Sequence, residues 1–385
     1  MNRSPIWRKT MRTYDILPTQ ATFPGEVITG FDQAEQLAAK ARQFGNRGML
    51  VHGQSMRRRG KVSKITANTP TGMELETWEY SGGEPTRTQL LALIDAIRTS
   101  NVDWIAGLGG GSILDLTKAA ALHAPQHSIA QLFDAEIPAT AASMPFIAIP
   151  TTAGTGAEAT TVAVITDPET GIKQSLRSPR MMARLVILDP ALLKSLPPHV
   201  IAHAGMDALT QAIESYVSNK ATWFSRKLAL KATAMLYENL PALFENGGTD
   251  RIAARNMLQG SFLAGVAFSS SGLGAVHGLA GPLGGSYGIP HGHACAACLP
   301  YVLNYNRTQM AHDYKTLSTL VGQDLLVGIA ALLARLGLQN PFKGRTLNDL
   351  DTIVQAVLSS ASTQCNPREM NETDARALVR ELFTY

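Results

Sequence analysis

The stretch Val102-Asp-Trp-Ile105-Ala-Gly107-Leu-Gly109-Gly110-Gly111-Ser112 passes from an apolar, strand-like run into three consecutive glycines, and residues 114–122 continue with helical spacing. Glycines at such a junction let backbone N–H groups approach an anion with no Cβ in the way, and the start of a helix adds partial positive charge. A pyrophosphate suits that arrangement, with Gly109, Gly110, Gly111 and Ser112 around it. The spacing is not Gly-x-Gly-x-x-Gly, and a tight turn with Ser112 as helix cap accounts for the same residues.

Outward from this unit the pattern repeats. Residues 26–30, 48–53 and 73–80 read as strands, with helical spacing over 33–43 and 87–99 between them. Residues 145–150, 162–167 and 184–188 are further strands, and Lys173 follows a Glu-Thr-Gly turn that suits a hairpin. Strands alternating with helices predict an α/β fold with a parallel sheet. A second polar loop, Thr151-Thr152-Ala-Gly154-Thr155-Gly156, leaves the end of its own strand. Open α/β sheets take ligands at the carboxyl ends of their strands, so two such loops together point to a dinucleotide more firmly than one.

From Pro197-Pro198 the texture changes. Residues 207–218, 223–238, 253–267, 294–305 and 325–336 all carry helical periodicity. We expect an α/β dinucleotide-binding domain over 1–196 and an all-helical domain over 197–385. The helical part holds the metal-type residues. Asp207 and Gln211 stand at i and i+4, on one helix face. His277 and His291 lie in the glycine-rich run from Gly274 to His293. An aspartate and two histidines meeting at a point suit a divalent metal with an open position. A site between the two domains follows.

Composition narrows the classes. Apolar residues at 45% and charged residues at 17% describe a globular chain of 385 residues, not a disordered one. A net charge of +4 without a long basic patch argues against nucleic acid. Three cysteines make no disulfide framework. Cys295-Ala-Ala-Cys298 has zinc-knuckle spacing but no second pair, and its alanine-rich setting reads as a buried helix whose thiols are core packing. No apolar run approaches a membrane span, and residues 1–7 lack a signal core. A cytoplasmic protein without a membrane partner is expected.

The series Gly109-Gly-Gly-Ser112-Ile-Leu-Asp115-Leu-Thr-Lys118, Pro150-Thr-Thr-Ala-Gly-Thr-Gly156-Ala-Glu158, Gly205-Met-Asp207 and His277…Pro290-His291-Gly292 resembles the iron-containing (group III) alcohol dehydrogenases. The likeness runs from about residue 26 to near the C-terminus. It implies NAD(P)-dependent interconversion of an alcohol and an aldehyde or ketone, often by a homodimer. It also implies Fe2+ or Zn2+ at Asp207, His277 and His291, a pyrophosphate at Gly109 to Ser112 with Asp115 nearby, and cofactor contacts from Thr151, Thr152 and Thr155.

Two positions depart from the family's pattern. Gln211 stands where a histidine ligand is usual, and Gly281 stands where a second histidine serves proton transfer. Gln211 offers a neutral, weaker oxygen. Either the site holds metal with altered selectivity, or it works without metal as the related maleylacetate reductases do, or it has recruited a substitute. His203, four residues before Asp207, is a weaker candidate ligand than a capping or surface residue; His293 is the candidate replacement proton donor beside His277 and His291. A dehydroquinate synthase-like lyase shares the two-domain plan, but it needs basic residues near the metal that this stretch lacks.

The cofactor's ribose contact falls at the end of the second strand, at His52-Gly53-Gln54-Ser55. A carboxylate there would favour NAD by accepting from the 2′-hydroxyl. None is present, and Arg57, Arg58 and Arg59 follow. This permits NADP(H) and inclines the expectation toward it over NAD, although arginines decorating a helix start would look the same.

Overall fold

The central strands of this chain are apolar on both faces because helices cover the sheet on both sides. The computed structural model describes residues 15–126, 142–169 and 173–384. Its strands are β1 (Glu26–Thr29), β2 (Arg47–Gly53), β3 (Glu74–Tyr80), β4 (Trp104–Gly109), β5 (Phe146–Pro150), β6 (Val162–Thr166), β7 (Lys173–Arg177) and β8 (Leu185–Leu188). Six of them form a parallel sheet in the order β1-β8-β5-β4-β2-β3, and β6 pairs antiparallel with β7. The turn expected ahead of Lys173 falls largely on residues 170–172, which lie outside the described residues, as does the N-terminal run 1–14.

Between the strands lie α1 (Leu37–Ala41), α2 (Gln54–Arg58), α3 (Lys61–Ala67), α4 (Arg87–Ser100) and α5 (Gly111–His123). Alternate strand residues supply two cores. Leu50, Trp104, Ala106, Ile147 and Ile187 pack with α1 and α3 on one side of the sheet. Met49, Val51, Ile105, Phe146, Ala148 and Val186 belong to a second core that includes α4 and α5 and continues into the helical half. The helix expected over 33–43 is shorter. Asp189 accepts the N–H groups of Asp32 and Ala34, which tightens the entry, and 3-10 turns flank α1 on both sides.

The helical half comprises α6 (Pro198–Val217), α7 (Trp223–Glu245), α8 (Arg251–Ser271), α9 (Ala275–Tyr287), α10 (His291–Asn306), α11 (Ala311–Val321), α12 (Leu325–Arg335), α13 (Leu350–Ser359) and α14 (Glu372–Thr384). Two of these differ from the periodicity. Helix α6 starts at Pro198 and runs unbroken through Gly205, whose missing side chain makes room for Leu240 of α7. Helix α9 forms across glycines and Pro282, so packing overrides its poor propensity. Among the described residues no single helix is long and apolar enough to cross a membrane.

The topology places the ligand crevice. From β2 the chain moves to β3 on one side, then returns through α4 to β4 on the other. The carboxyl ends of β2, at Gly53, and β4, at Gly109, therefore flank the point where strand order reverses, the usual ligand position in such sheets.

Candidate active site

Three helices meet at one point. Helix α6 presents Asp207, Gln211 and Glu214 at i, i+4 and i+7, all buried on one face. Helix α9 brings His277, and α10 brings His291 with Cys295 one turn later. The approach of α10 to α6 requires Gly292, since a methyl group there would strike the His203 carbonyl. Asp207 Oδ1 lies 3.3 Å from His277 Nε2 and 3.7 Å from His291 Nε2. Cys295 Sγ is 3.6 Å from His291 Nε2. One donor atom from each of Asp207, His277, His291 and Cys295 falls within 4.8 Å of all the others.

Glu214 orients the group. Its Oε2 lies 2.6 Å from His277 Nδ1, and its Oε1 accepts the Val276 N–H at 2.6 Å. With Nδ1–H donated to the carboxylate, Nε2 presents its lone pair to the centre. Asp207 Oδ1, His277 Nε2 and Gln211 Oε1 are buried without a hydrogen-bond partner. Each such atom costs about 1–3 kcal/mol if nothing meets it. Asp207 Oδ1 and His277 Nε2 belong to the converging donor group, and a cation there would satisfy both, so the residues fit a divalent metal.

The electrostatics agree. Burial pushes the Cys295 thiol up, but His291 and His277 outweigh it and hold the thiol below its ordinary value. Cys295 in turn lifts His291 to about 9 against the cost of burial. Burial works to lower His277, yet Cys295, Glu214 and Asp207 raise it well above the ordinary imidazole. For Asp207 burial again opposes, and His277 and His291 bring the carboxyl down. Thiol and carboxyl are thus both drawn toward their anionic, ligating forms, while the two imidazoles are drawn toward the protonated form, so a metal entering the group would displace a proton from the rings. The His291 side chain is 45% exposed, which marks the open side of the site.

The two polar loops form one surface. A methyl on Gly110 would sit 3.3 Å from Thr152 Oγ1, and one on Gly111 would sit 2.8 Å from Thr155 Cγ2. Thr151 N–H donates to Gly109 O at 3.0 Å. The N-cap of α5 is Gly110, with no side chain capping it, so the alternative of Ser112 as cap is not what forms. An uncapped helix start beside glycine backbone suits a pyrophosphate. The threonine loop also reaches the metal-type residues: Gly154 packs on Ala204, three residues before Asp207, with a built methyl 2.8 Å from the Ala204 Cβ.

The remaining sequence candidates divide. Asp115 is engaged within the protein, accepting Val164 N–H at 3.0 Å and lying 3.3 Å from Lys118 Nζ. Gly53 lies beside Ile113 of α5, at the edge of the crevice. His293 stands two residues after His291 and so projects from another side of α10. Its Nε2 bonds the Gln339 carbonyl at 2.8 Å, and its ring stacks on His203 at 4.9 Å. Neither His203 nor His293 is among the four residues whose donor atoms group together, and His293 Nε2 is engaged by the Gln339 carbonyl. Of the three arginines, Arg57 pairs with Glu79 at 2.7 Å, Arg59 bonds the Leu192 and Lys194 carbonyls, and Arg58 is exposed. Sequence reasoning missed Glu214 and the position of Cys295. The signals were available: a carboxylate at i+7 from Asp207, and a thiol at i+4 from His291.

Comparison with known proteins follows the same lines. A family model described as "Iron-containing alcohol dehydrogenase" matches residues 24–190, and its C-terminal counterpart, "Fe-containing alcohol dehydrogenase family, C-terminal", matches residues 201–383. The chain is 34% identical to the probable alcohol dehydrogenase EutG of Escherichia coli, over 93% of this chain and 91% of that protein. It is 32% identical to the NADPH-dependent butanol dehydrogenase of Clostridium saccharobutylicum, over 94% and 97%. Among solved structures, 1,3-propanediol oxidoreductase superposes with a TM-score of 0.88 at 28% identity, covering 97% of this chain and 100% of that one. The fold, the converging donors and these matches agree that the chain belongs to the iron-containing alcohol dehydrogenase family and is an NAD(P)-dependent oxidoreductase of alcohols and aldehydes.

Proposed function

We propose that this enzyme reduces a small aldehyde with NADPH, and runs the reverse reaction, at a divalent metal, Fe2+ or Zn2+, held by Asp207, His277 and His291 with Gln211 beside them. The observation that carries the reading is the convergence of donor atoms from Asp207, His277 and His291, with Asp207 Oδ1 and His277 Nε2 buried and unpartnered. A metal bound there supplies Lewis-acid polarisation of the substrate oxygen. Glu214 holds His277 in the tautomer that would leave the Nε2 lone pair toward the metal position. Gly109 to Ser112 seat the pyrophosphate, and Thr151, Thr152 and Thr155 wall the cofactor's path toward α6. The packing of Gly154 on Ala204 fixes the distance between the two halves of the reaction, which is the positioning that hydride transfer needs. The substrate enters beside His291 and Gly281, where a methyl built on Gly281 meets nothing within 4 Å.

Three further assignments belong to this reading. The preference for NADPH rests on the missing carboxylate at Gly53-Gln54-Ser55, on the exposed Arg58, and on the relative named as NADPH-dependent. Glu79, next to His52 in the sheet, is a nearby carboxylate, and Arg57 pairs with it. A homodimer in the cytoplasm fits the family likeness and three buried free thiols. The chain divides at Leu196, between the last strand and α6.

The departures at Gln211 and Gly281 favour a second reading, a metal-independent carbonyl reductase in which His277, His291 and Gln211 hydrogen-bond the carbonyl. Metal analysis of the purified protein, with NADH and NADPH oxidation against a panel of aldehydes and keto acids, separates the two. Loss of activity on chelation and its return with Fe2+ or Zn2+ is expected. Full activity after verified metal removal would instead establish the metal-free reaction.

A further inference from the structure

We propose that Cys295 is itself a metal ligand, its thiolate completing a four-donor set with Asp207, His277 and His291 in place of the weak donor Gln211. The inference rests on the metal reading above and goes one step beyond it. The thiol belongs to the donor group by geometry: its ligating atom lies within 4.8 Å of those of Asp207, His277 and His291, and 3.6 Å from His291 Nε2. It is placed there by helical spacing, one turn after His291 on α10, so the two side chains share a face. Cys295 is fully buried, and the partners it faces are the metal-type residues themselves. Cys298, at i+3 from Cys295, is buried too but stands outside the group.

The chemistry of the donor set gives the substitution a consequence. Gln211 contributes at most a neutral amide oxygen, a hard and weak donor for Fe2+ or Zn2+. A thiolate is anionic and soft, so a set of one thiolate, two imidazoles and one carboxylate shifts the site toward zinc relative to an all-nitrogen and oxygen set. The site in this chain is therefore rebuilt from α10, and the position on α6 that the family uses for a ligand is released.

Cobalt(II) reports the point directly, because a Co2+–thiolate bond produces an intense near-ultraviolet charge-transfer band that nitrogen and oxygen ligands do not. The full-length protein is stripped with a chelator, titrated with Co2+ and scanned through the ultraviolet and visible. The expected result is a charge-transfer band that saturates at one Co2+ per chain. It persists in the double variant Cys298→Ser/Cys365→Ser, which retains Cys295 as the single thiol of the three in the chain. In Cys295→Ser the band disappears while visible cobalt bands remain, and Co2+ affinity drops by at least about 10-fold, more than loss of a supporting residue alone. Visible cobalt bands without the charge-transfer band in the wild-type protein would overturn the assignment of Cys295 and leave the metal reading standing. Failure of the folded wild-type protein to bind Co2+ at all would overturn both. Should Cys295→Ser not fold, the double variant decides: its charge-transfer band can come from no other thiol.

Discussion

Glu214 Oε2 lies 2.6 Å from His277 Nδ1, and the same carboxylate accepts the Val276 N–H, so one buried side chain fixes both the ring and the backbone at the start of α9. This relationship makes Glu214 a positioning residue. Glu214→Ala frees the His277 ring and leaves Val276 N–H without its partner. We expect metal affinity to fall about 10–100-fold, as loss of a carboxylate supporting a ligating histidine does. Glu214→Gln, whose amide oxygen still accepts from Nδ1–H, should lose less. Competition titration against a chromophoric chelator reads both, and equal affinity in all three proteins would remove Glu214 from this role.

The arginines after β2 differ in what they are free to do. Arg59 is spent on the Leu192 and Lys194 carbonyls, and Arg57 on Glu79, while Arg58 is exposed. Arg58→Ala should raise the KM for NADPH by roughly fivefold, the scale of about 1 kcal/mol for an exposed charge contact, and leave the KM for NADH unchanged. Arg59→Ala should lower thermal stability instead. Parallel loss of NADH and NADPH binding in Arg58→Ala would show that it does not meet a 2′-phosphate.

Glu158 supplies a pH dependence away from the metal-type residues. Burial raises its carboxyl from 4.5 to about 7, although its backbone hydrogen bond and Lys118 work the other way, and its Oε1 has no partner. An acid whose folded pKa is raised binds its proton more tightly folded than unfolded. Its contribution is therefore present in full below about 4.5 and is lost as the pH rises through about 7. Glu158→Gln keeps the neutral shape and removes the titration. The melting temperature of the variant relative to wild type should climb across that window and level off above it. A difference that stays flat with pH would mean that Glu158 ionises in the fold at little cost.

The sheet was legible because strands buried on both faces write continuous apolar runs, as in Phe146-Ile147-Ala148-Ile149. The glycine and threonine loops were legible because they end such runs. Cys295 was not, for a reason of boundaries. Periodicity starts α10 at Ala294, because His291 and Gly292 carry no apolar signal; the helix in fact starts at His291, after Pro290. Those three residues decide whether His291 and Cys295 share a face. Helix α9 was hidden by its glycines and Pro282, whose low propensity is outweighed by contacts far away in sequence, such as Gly278 against Thr363. Local pattern reports the core well and reports poorly on sites assembled where three helices converge.

The glycines of α9 and α10 separate by what surrounds them, and this yields opposite outcomes from one substitution. Gly281 is exposed in the middle of α9, and a methyl built there has nothing within 4 Å. Gly281→Ala should therefore stabilise the protein, but by less than the helix-interior difference of about 0.5–1 kcal/mol between glycine and alanine, because Pro282 follows and disfavours helical backbone at a residue with a Cβ. Gly292→Ala puts its methyl against the His203 backbone carbonyl, which cannot rotate away. It should push α10 off α6, displacing His291 and Cys295 from Asp207, with a loss of 1–3 kcal/mol of the order seen for overpacked cores and a fall in metal binding. Denaturant unfolding measures the first quantity and metal titration the second. A Gly292→Ala protein with unchanged stability and unchanged metal affinity would mean that α10 does not depend on this close approach, and that the donor group is held by other contacts.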